Sequence, residues 1–190
     1  LKKLSDPALA VRLKVLDALR GAKPQKKLVD GLMGFLKSGK RTADELDKAF
    51  RLLSRAEDKK DLAAAVKYAK PFIKDKNIPT AVAAVTFIGL SGEKEALLPQ
   101  FEELLKSKHK QYRIAVIRAA GELAGRKDKL ILDKLLDIIR RDDDFAMRLV
   151  SFFAIETIIR APIDERGECM VQLQEDKAEA FLRVFRWLKN

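Results

Sequence analysis

Residues able to carry out catalysis or to bind a metal are few in this sequence, and they lie far apart. One histidine, His109, and one cysteine, Cys169, are present, so neither an internal disulfide nor a Cys/His metal cluster can form within the chain. No base stands beside a nucleophile, and neither a phosphate-binding loop nor a set of metal ligands is recognisable. We therefore predict a protein that is not an enzyme, needs no cofactor and has no small-molecule substrate.

Lysine and arginine are in excess, and they give the 190 residues a formal net charge of +11. Residues 1–130 hold 29 Lys and Arg against 16 Asp and Glu, whereas residues 131–190 hold 10 against 12. A basic surplus attracts nucleic acids, anionic membrane surfaces or acidic proteins. The longest uncharged run, 77–92, has 16 residues, whereas a helix that crosses a bilayer needs roughly 20 apolar ones. We therefore expect a basic surface and no transmembrane segment.

No motif specifies the compartment. The single cysteine is typical of proteins in a reducing compartment, which favours the cytoplasm. No signal peptide is recognisable, but the chain begins at Leu1 rather than at a methionine. An exported form that has lost its leader is therefore retained as the alternative.

Apolar residues recur every three or four positions along most of the chain, which predicts amphipathic helices. The clearest helix is at 108–125, and helices of the same design are predicted at 6–21 and 142–157. We expect Gly121 and Gly125 to allow close approach of a neighbouring helix, because glycine has no side chain. No hairpin signal interrupts this pattern, so the predicted fold class is all-α.

Shorter helices alternate with these long ones and end in similar apolar motifs. Equivalent positions are Leu36, Ile73, Leu105 and Ile139, which are 37, 32 and 34 residues apart. Each is followed by a short turn and a second helix, so a two-helix unit is predicted to occur about four times. One pair cannot bury its apolar stripe alone, and stacked pairs are therefore expected to share a continuous core.

Local motifs recur within these units. They are Asp6-Pro7, Val11-Arg12 and Ala18-Leu19; Tyr112-Arg113 and Ala119-Ala120-Gly121-Glu122-Leu123; and Asp144, Met147-Arg148 and Ala154-Ile155. Together with the period, they resemble HEAT repeats, in particular the short bacterial HEAT-like repeats of the PBS-lyase type. Pro71 and Pro99 match the bend that this family often has in its first helix. The resemblance covers most of residues 5–160, although Thr80-Ala81 stands where a hydrophobic-Arg pair is expected and the helix at 42–55 lacks this pair.

The resemblance implies an armadillo-like, right-handed α-solenoid of about four to five HEAT-like helix pairs. We expect a single repeat domain over 1–190, with regular repeats at 5–160, a loop or insertion at 161–176 and a C-terminal capping helix at 177–190. Tetratricopeptide repeats have a similar period, near 34 residues. Their Trp, Gly and Tyr signature is absent here.

The resemblance also implies roles for individual residues. In this family an arginine early in the second helix usually pairs with an Asp of a turn and ties the stack together, which we expect of Arg12, Arg113 and Arg148. Some HEAT-like proteins are enzymes, namely DNA glycosylases that remove alkylated bases and lyases that attach bilin chromophores. Their catalytic residues have no recognisable equivalents in this sequence.

The turns inside the pairs are expected to lie along one edge of the stack and to make it basic. The candidate residues of this edge are Lys37, Lys40, Arg41, Lys74, Lys76, Lys106, Lys108 and Lys110. Nucleic-acid phosphates could lie along such an edge. Alternatively, these cations simply offset the dipoles of the helix C-termini and stay in water. Aromatic residues, on which unpaired bases would stack, are nearly absent from these turns.

The second helices are expected to line a concave groove. Exposed positions predicted there are Arg51, Arg55, Arg118, Glu122 and Phe153. This mixture of charges with an aromatic residue suits a protein partner, including an acidic one, better than a run of phosphates. The sequence therefore predicts a non-catalytic scaffold that binds a protein through its groove, with a nucleic-acid-binding protein that uses the basic edge as the alternative.

Overall fold

The computed structural model describes residues 1–160, which consist of helices joined by short turns, without a strand in that range. The α-helices are α1 (Leu9–Ala18), α2 (Lys26–Lys37), α3 (Ala43–Leu53), α4 (Lys59–Ala69), α5 (Ile78–Ser91), α6 (Phe101–Leu105), α7 (Lys110–Leu123), α8 (Lys129–Arg141) and α9 (Phe145–Arg160). The predicted all-α class is therefore confirmed for this range. The loop predicted at 161–176 and the capping helix predicted at 177–190 lie outside the described residues.

Short polar residues begin several helices. Thr42 accepts a hydrogen bond from the Glu45 backbone N–H, and the Glu45 carboxylate accepts one from the Thr42 N–H, which is a capping box. The Asp58 carboxylate caps α4 by accepting hydrogen bonds from the N–H groups of Lys60 and Asp61, and Asn77 caps α5 through the N–H of Thr80. These caps satisfy backbone donors that have no partner inside the helix.

Two first helices depart from the sequence prediction at their prolines. The resemblance implied a bent first helix at Pro99, but the chain forms 3-10 turns at Lys94–Ala96 and Leu98–Gln100 before the short helix α6. In the preceding pair, α4 ends at Ala69 and a 3-10 segment that contains Pro71 follows. Proline lacks an N–H and its ring clashes with the preceding turn, so the α-helix is interrupted rather than bent.

The helices form two layers. In the odd layer, α1, α3, α5, α7 and α9 pack against one another in succession. In the even layer, α2, α4, α6 and α8 each pack against the odd helix that follows in the chain. The pairs predicted from the sequence are therefore α2–α3, α4–α5, α6–α7 and α8–α9, with α1 in front of them.

Close contacts hold the odd layer together. A Cβ atom added at Gly89 would lie 2.8 Å from the Cα of Ala119, and one added at Gly121 would lie 2.9 Å from the Cα of Ala154. Gly121 therefore allows the close approach that was predicted for it. Gly125 does not meet a helix in this way, because its nearest neighbours are side-chain atoms of Lys94 and Asp128. Its N–H instead donates a 2.6 Å hydrogen bond to Asp128.

The buried apolar residues form one connected cluster that runs from Leu4 in the first turn to Ile158 in α9. Within it, the rings of Phe50 in α3 and Phe87 in α5 stack with centroids 4.8 Å apart. Each pair thus shares its core with the next one, as expected of units that cannot bury their apolar faces alone.

Glycine-to-alanine substitutions at two helical positions should change stability in opposite directions. Gly89→Ala places a methyl group against the backbone of α7, and we expect it to destabilise the protein by about 1–2 kcal/mol. Gly34→Ala, at an exposed helical position with no atom within 4 Å of the new Cβ, should stabilise it by about 0.5–1 kcal/mol. Urea unfolding of the two variants measures both effects. A stabilising Gly89→Ala substitution would contradict the close packing of α5 on α7.

Candidate functional site

Polar contacts between successive helix pairs follow one rule of spacing. The side-chain hydrogen bonds and ion pairs that join different pairs connect residues 29 to 39 positions apart. Examples are Lys26–Asp61 at 2.6 Å, Lys74–Glu103 at 2.9 Å and Lys94–Asp128 at 3.3 Å. These separations are close to the repeat period, so equivalent parts of successive pairs lie side by side.

The turns inside the pairs form what we call the turn edge (37–42, 70–77, 106–110 and 142–144), and contacts join the last three of them. The Tyr112 hydroxyl donates a 2.8 Å hydrogen bond to the carbonyl of Ile73, and Lys110 forms a 2.6 Å ion pair with Asp144. Burial raises the pKa of Tyr112 to about 12, so its hydroxyl stays protonated and continues to donate. The Lys110 hydrogen bond lowers the pKa of Asp144, which therefore stays charged.

Three of the eight cations predicted at the turn edge take part in internal contacts. Lys74 and Lys110 form the ion pairs described above, and Arg41 donates to the Phe35 carbonyl while its guanidinium lies 4.0 Å from the centre of the Phe35 ring. The other five are exposed, and none of them pairs with a carboxylate within residues 1–160. These five are Lys37, Lys40, Lys76, Lys106 and Lys108.

The three arginines for which a structural role was expected hold the turns in front of their own helices. Arg12, Arg113 and Arg148 each donate from Nη1 to the carbonyl six residues earlier, at 2.8, 2.7 and 3.2 Å. The resemblance implies an Asp of a turn as the partner of these arginines, and it did not indicate the backbone carbonyls. Every residue has a backbone carbonyl, so no residue type in the sequence marks these acceptors.

Arg12 also reaches the next helix pair, where it meets a buried acid. Its Nε lies 2.6 Å from Oε1 of Glu45, whose side chain is 0% exposed. Burial raises the pKa of Glu45, but the hydrogen bonds from Arg12 and from Thr42 outweigh this effect, so that the pKa is lowered overall. Glu45 is therefore charged and satisfied, which makes the pair a structural tie between α1 and α3.

The five residues predicted for the groove lie on the exposed surface of the odd layer. Arg51 and Arg55 line a cavity of about 610 Å³ between α1, α3 and the end of α5. Arg118, Glu122 and Phe153 line a second cavity, of about 370 Å³, between α7 and α9. The structure thus distributes the candidate groove residues over two cavities, both bounded by consecutive odd helices.

The middle of this surface is uncharged. Helix α5 contains no Asp, Glu, Lys or Arg, and it presents the half-buried residues Val82 and Thr86 between the two cavities. Leu90, at its end, is 49% exposed. The odd layer therefore offers an uncharged centre with charged residues on either side.

No protein-family model matches this sequence, and no curated protein matches it either. Within residues 1–160, the structure contains no group of three or more His, Cys, Asp or Glu side chains that could hold a metal ion. No helix in the same range is long and apolar enough to cross a membrane.

Replacing Arg12 by methionine tests the buried ion pair. Glu45 would then be buried without its counter-charge, which should lower the free energy of unfolding by about 3 kcal/mol at neutral pH. In the wild type, the contribution of Glu45 is complete above its ordinary pKa of 4.5 and is lost as the pH falls through the lowered pKa. The difference in the free energy of unfolding between the wild type and the Arg12→Met variant should therefore become smaller in acid.

Urea unfolding of both proteins at about pH 7 and about pH 3.5 measures this change across the window in which a lowered carboxyl pKa acts. Arg140→Met, at an exposed position on α8, is the matched control and should have little effect at either pH. If the difference in the free energy of unfolding between wild type and Arg12→Met is the same at both pH values, Glu45 is not a charged residue paired with Arg12.

Proposed function

We propose that this chain is a right-handed α-solenoid of four HEAT-like helix pairs preceded by one helix, and that it is a non-catalytic scaffold that binds another protein through the odd layer. The spacing of the contacts supports the architecture. Side chains that join successive pairs are 29 to 39 residues apart, which is what a stack of similar units requires.

Differences in packing between the two layers support a concave odd face. Glycine and alanine bring α5, α7 and α9 close together at Gly89–Ala119 and Gly121–Ala154. The helices of the even layer pack mainly on the odd layer rather than on one another. A stack whose helices are more closely spaced on one side curves toward that side, so the odd layer forms the groove in this proposal.

The observation that carries the proposed function is the composition of the odd face. An uncharged helix, α5, lies between Arg51 and Arg55 on one side and Arg118 and Glu122 on the other. Protein interfaces commonly combine an apolar centre with a polar rim, and arginine and aromatic residues are enriched in them. Phe153, whose surface is 50% exposed, adds such an aromatic residue.

Site-specific photocrosslinking tests which face binds a protein. A photoreactive phenylalanine analogue at Thr86, in the middle of the odd face, should crosslink a discrete protein in extracts of the source cells. The same analogue at Ala64, exposed on α4 of the even layer, should not. The crosslinked protein, once identified and purified, should bind the unmodified chain. Its affinity for the Arg51→Glu variant, in which a charge at the rim is reversed, should be at least tenfold lower. Adducts from Ala64 alone, or from neither position, would contradict the proposal.

A second candidate function, duplex nucleic-acid binding, is favoured by one observation. Five exposed lysines of the turn edge have no carboxylate partner within residues 1–160, and they come from three successive turns. Neutralising phosphates releases counterions, so that binding by five such lysines would depend steeply on salt. Under the scaffold proposal these lysines serve solubility and offset the helix dipoles.

Titration with a random DNA duplex separates the two functions. The scaffold proposal predicts only weak binding at about 0.15 M salt, reduced to a similar extent when lysines on either surface are changed to glutamate. The two variants to compare are the turn-edge set Lys37, Lys40, Lys76, Lys106 and Lys108, and the even-layer set Lys27, Lys59, Lys60, Lys67 and Lys129. Micromolar or tighter binding that is lost only in the turn-edge variant would instead establish the nucleic-acid function.

A further inference from the structure

The cavity between α1, α3 and the end of α5 has a size suited to binding. Its volume of about 610 Å³ falls in the range of roughly 300–1,000 Å³ that is usual for ligand clefts. The buried residues Leu16 and Leu52 line it together with Leu90, which is 49% exposed. Leu90 therefore offers apolar surface to a side chain that enters the cavity.

Most of the charges that line this cavity are already neutralised. Lys48 forms an ion pair with Asp17, and the Nε of Arg51 lies 2.7 Å from the carboxylate of Asp47. The hydrogen bond to Asp47 raises the pKa of Arg51, so this guanidinium stays charged. Two further cations line the cavity and take no part in these ion pairs.

Arg20 and Arg55 are these two cations. The Nη1 of Arg55 donates a 2.6 Å hydrogen bond to the backbone carbonyl of Arg20, which anchors the guanidinium of Arg55 beside the end of α1. Both side chains are exposed, and neither has a carboxylate partner in the part of the chain that the structure describes. A guanidinium is a planar donor whose geometry matches a carboxylate, often through two parallel hydrogen bonds.

We propose that this cavity, the Arg20–Arg55 pocket, binds an acidic segment of a partner protein in which a carboxylate side chain lies next to an aliphatic one. Arg20 and Arg55 receive the carboxylate, and the aliphatic side chain packs on Leu90. This inference rests on the proposed protein-binding function and adds the chemistry of the partner. A nucleic-acid strand fits less well, because no aromatic side chain lines the cavity to stack on a base.

Selection from a displayed library of random 12-residue peptides on the full 190-residue chain tests the pocket. We expect the enriched peptides to carry Asp or Glu beside Leu, Ile or Val, and a fluorescein-labelled synthetic copy of one of them to bind at micromolar concentration. Arg20→Glu and Arg55→Glu should each weaken this binding at least tenfold. Each substitution replaces a guanidinium, which attracts the peptide carboxylate, by a carboxylate, which repels it. Higher salt should weaken it as well.

Two variants serve as matched controls. Arg118→Glu makes the same charge change at an exposed position of α7, in the other cavity of the odd layer, and should leave the affinity within twofold. Arg55→Lys keeps the positive charge and should lose less affinity than Arg55→Glu. Circular dichroism of each variant checks that the helices are retained.

Several results would contradict the proposal that the Arg20–Arg55 pocket binds an acidic segment. They are a selection that enriches no peptides, enriched peptides without acidic residues, and acidic peptides that bind Arg20→Glu and Arg55→Glu as tightly as the wild type. If such peptides instead lose affinity with Arg118→Glu or with Phe153→Asp, the odd layer still binds protein and only this pocket is wrong. Photocrosslinking at Thr86 decides the proposed function separately, since it does not depend on the peptides.

Discussion

The close approach of the helices in the odd layer is the constraint on which the rest of this structure depends. At Gly89 against Ala119, and at Gly121 against Ala154, there is no room for even one more methyl group. Contacts this close require small residues at matching heights on consecutive odd helices, so they set how each helix pair is placed on the one before. The connected core from Leu4 to Ile158 and the regular spacing of the polar contacts are consistent with that placement.

The excess of basic residues is divided between two uses, which net charge alone does not distinguish. Lys26, Lys74, Lys94 and Lys110 form ion pairs with carboxylates of neighbouring pairs, and Arg12 neutralises the buried Glu45. Exposed ion pairs of this kind contribute little to stability individually, but they favour one register of stacking over another. Other cations, among them five lysines of the turn edge and Arg20 and Arg55, have no carboxylate partner within residues 1–160.

A helical stack of this kind places binding and folding on different residues. Its core consists of apolar side chains between layers, while the exposed face of the odd layer is free to vary without disturbing the core. The uncharged surface of α5 lies on this face, with charged residues to either side. In the function proposed above, this face recognises a protein, and the unpaired guanidinium groups of Arg20 and Arg55 select an acidic one.

The sequence by itself determined the helices, their pairing and the cap at Thr42, because apolar periodicity and capping are local properties of the chain. It also indicated which positions of the second helices would be exposed. Only the tertiary structure decided that Pro99 interrupts its helix, that Glu45 is buried against Arg12 and that Gly125 meets no helix. The tertiary structure also decided which cations are already paired. An ion pair between residues about 34 positions apart depends on how one helix pair packs on the next, and no local sequence pattern encodes that packing.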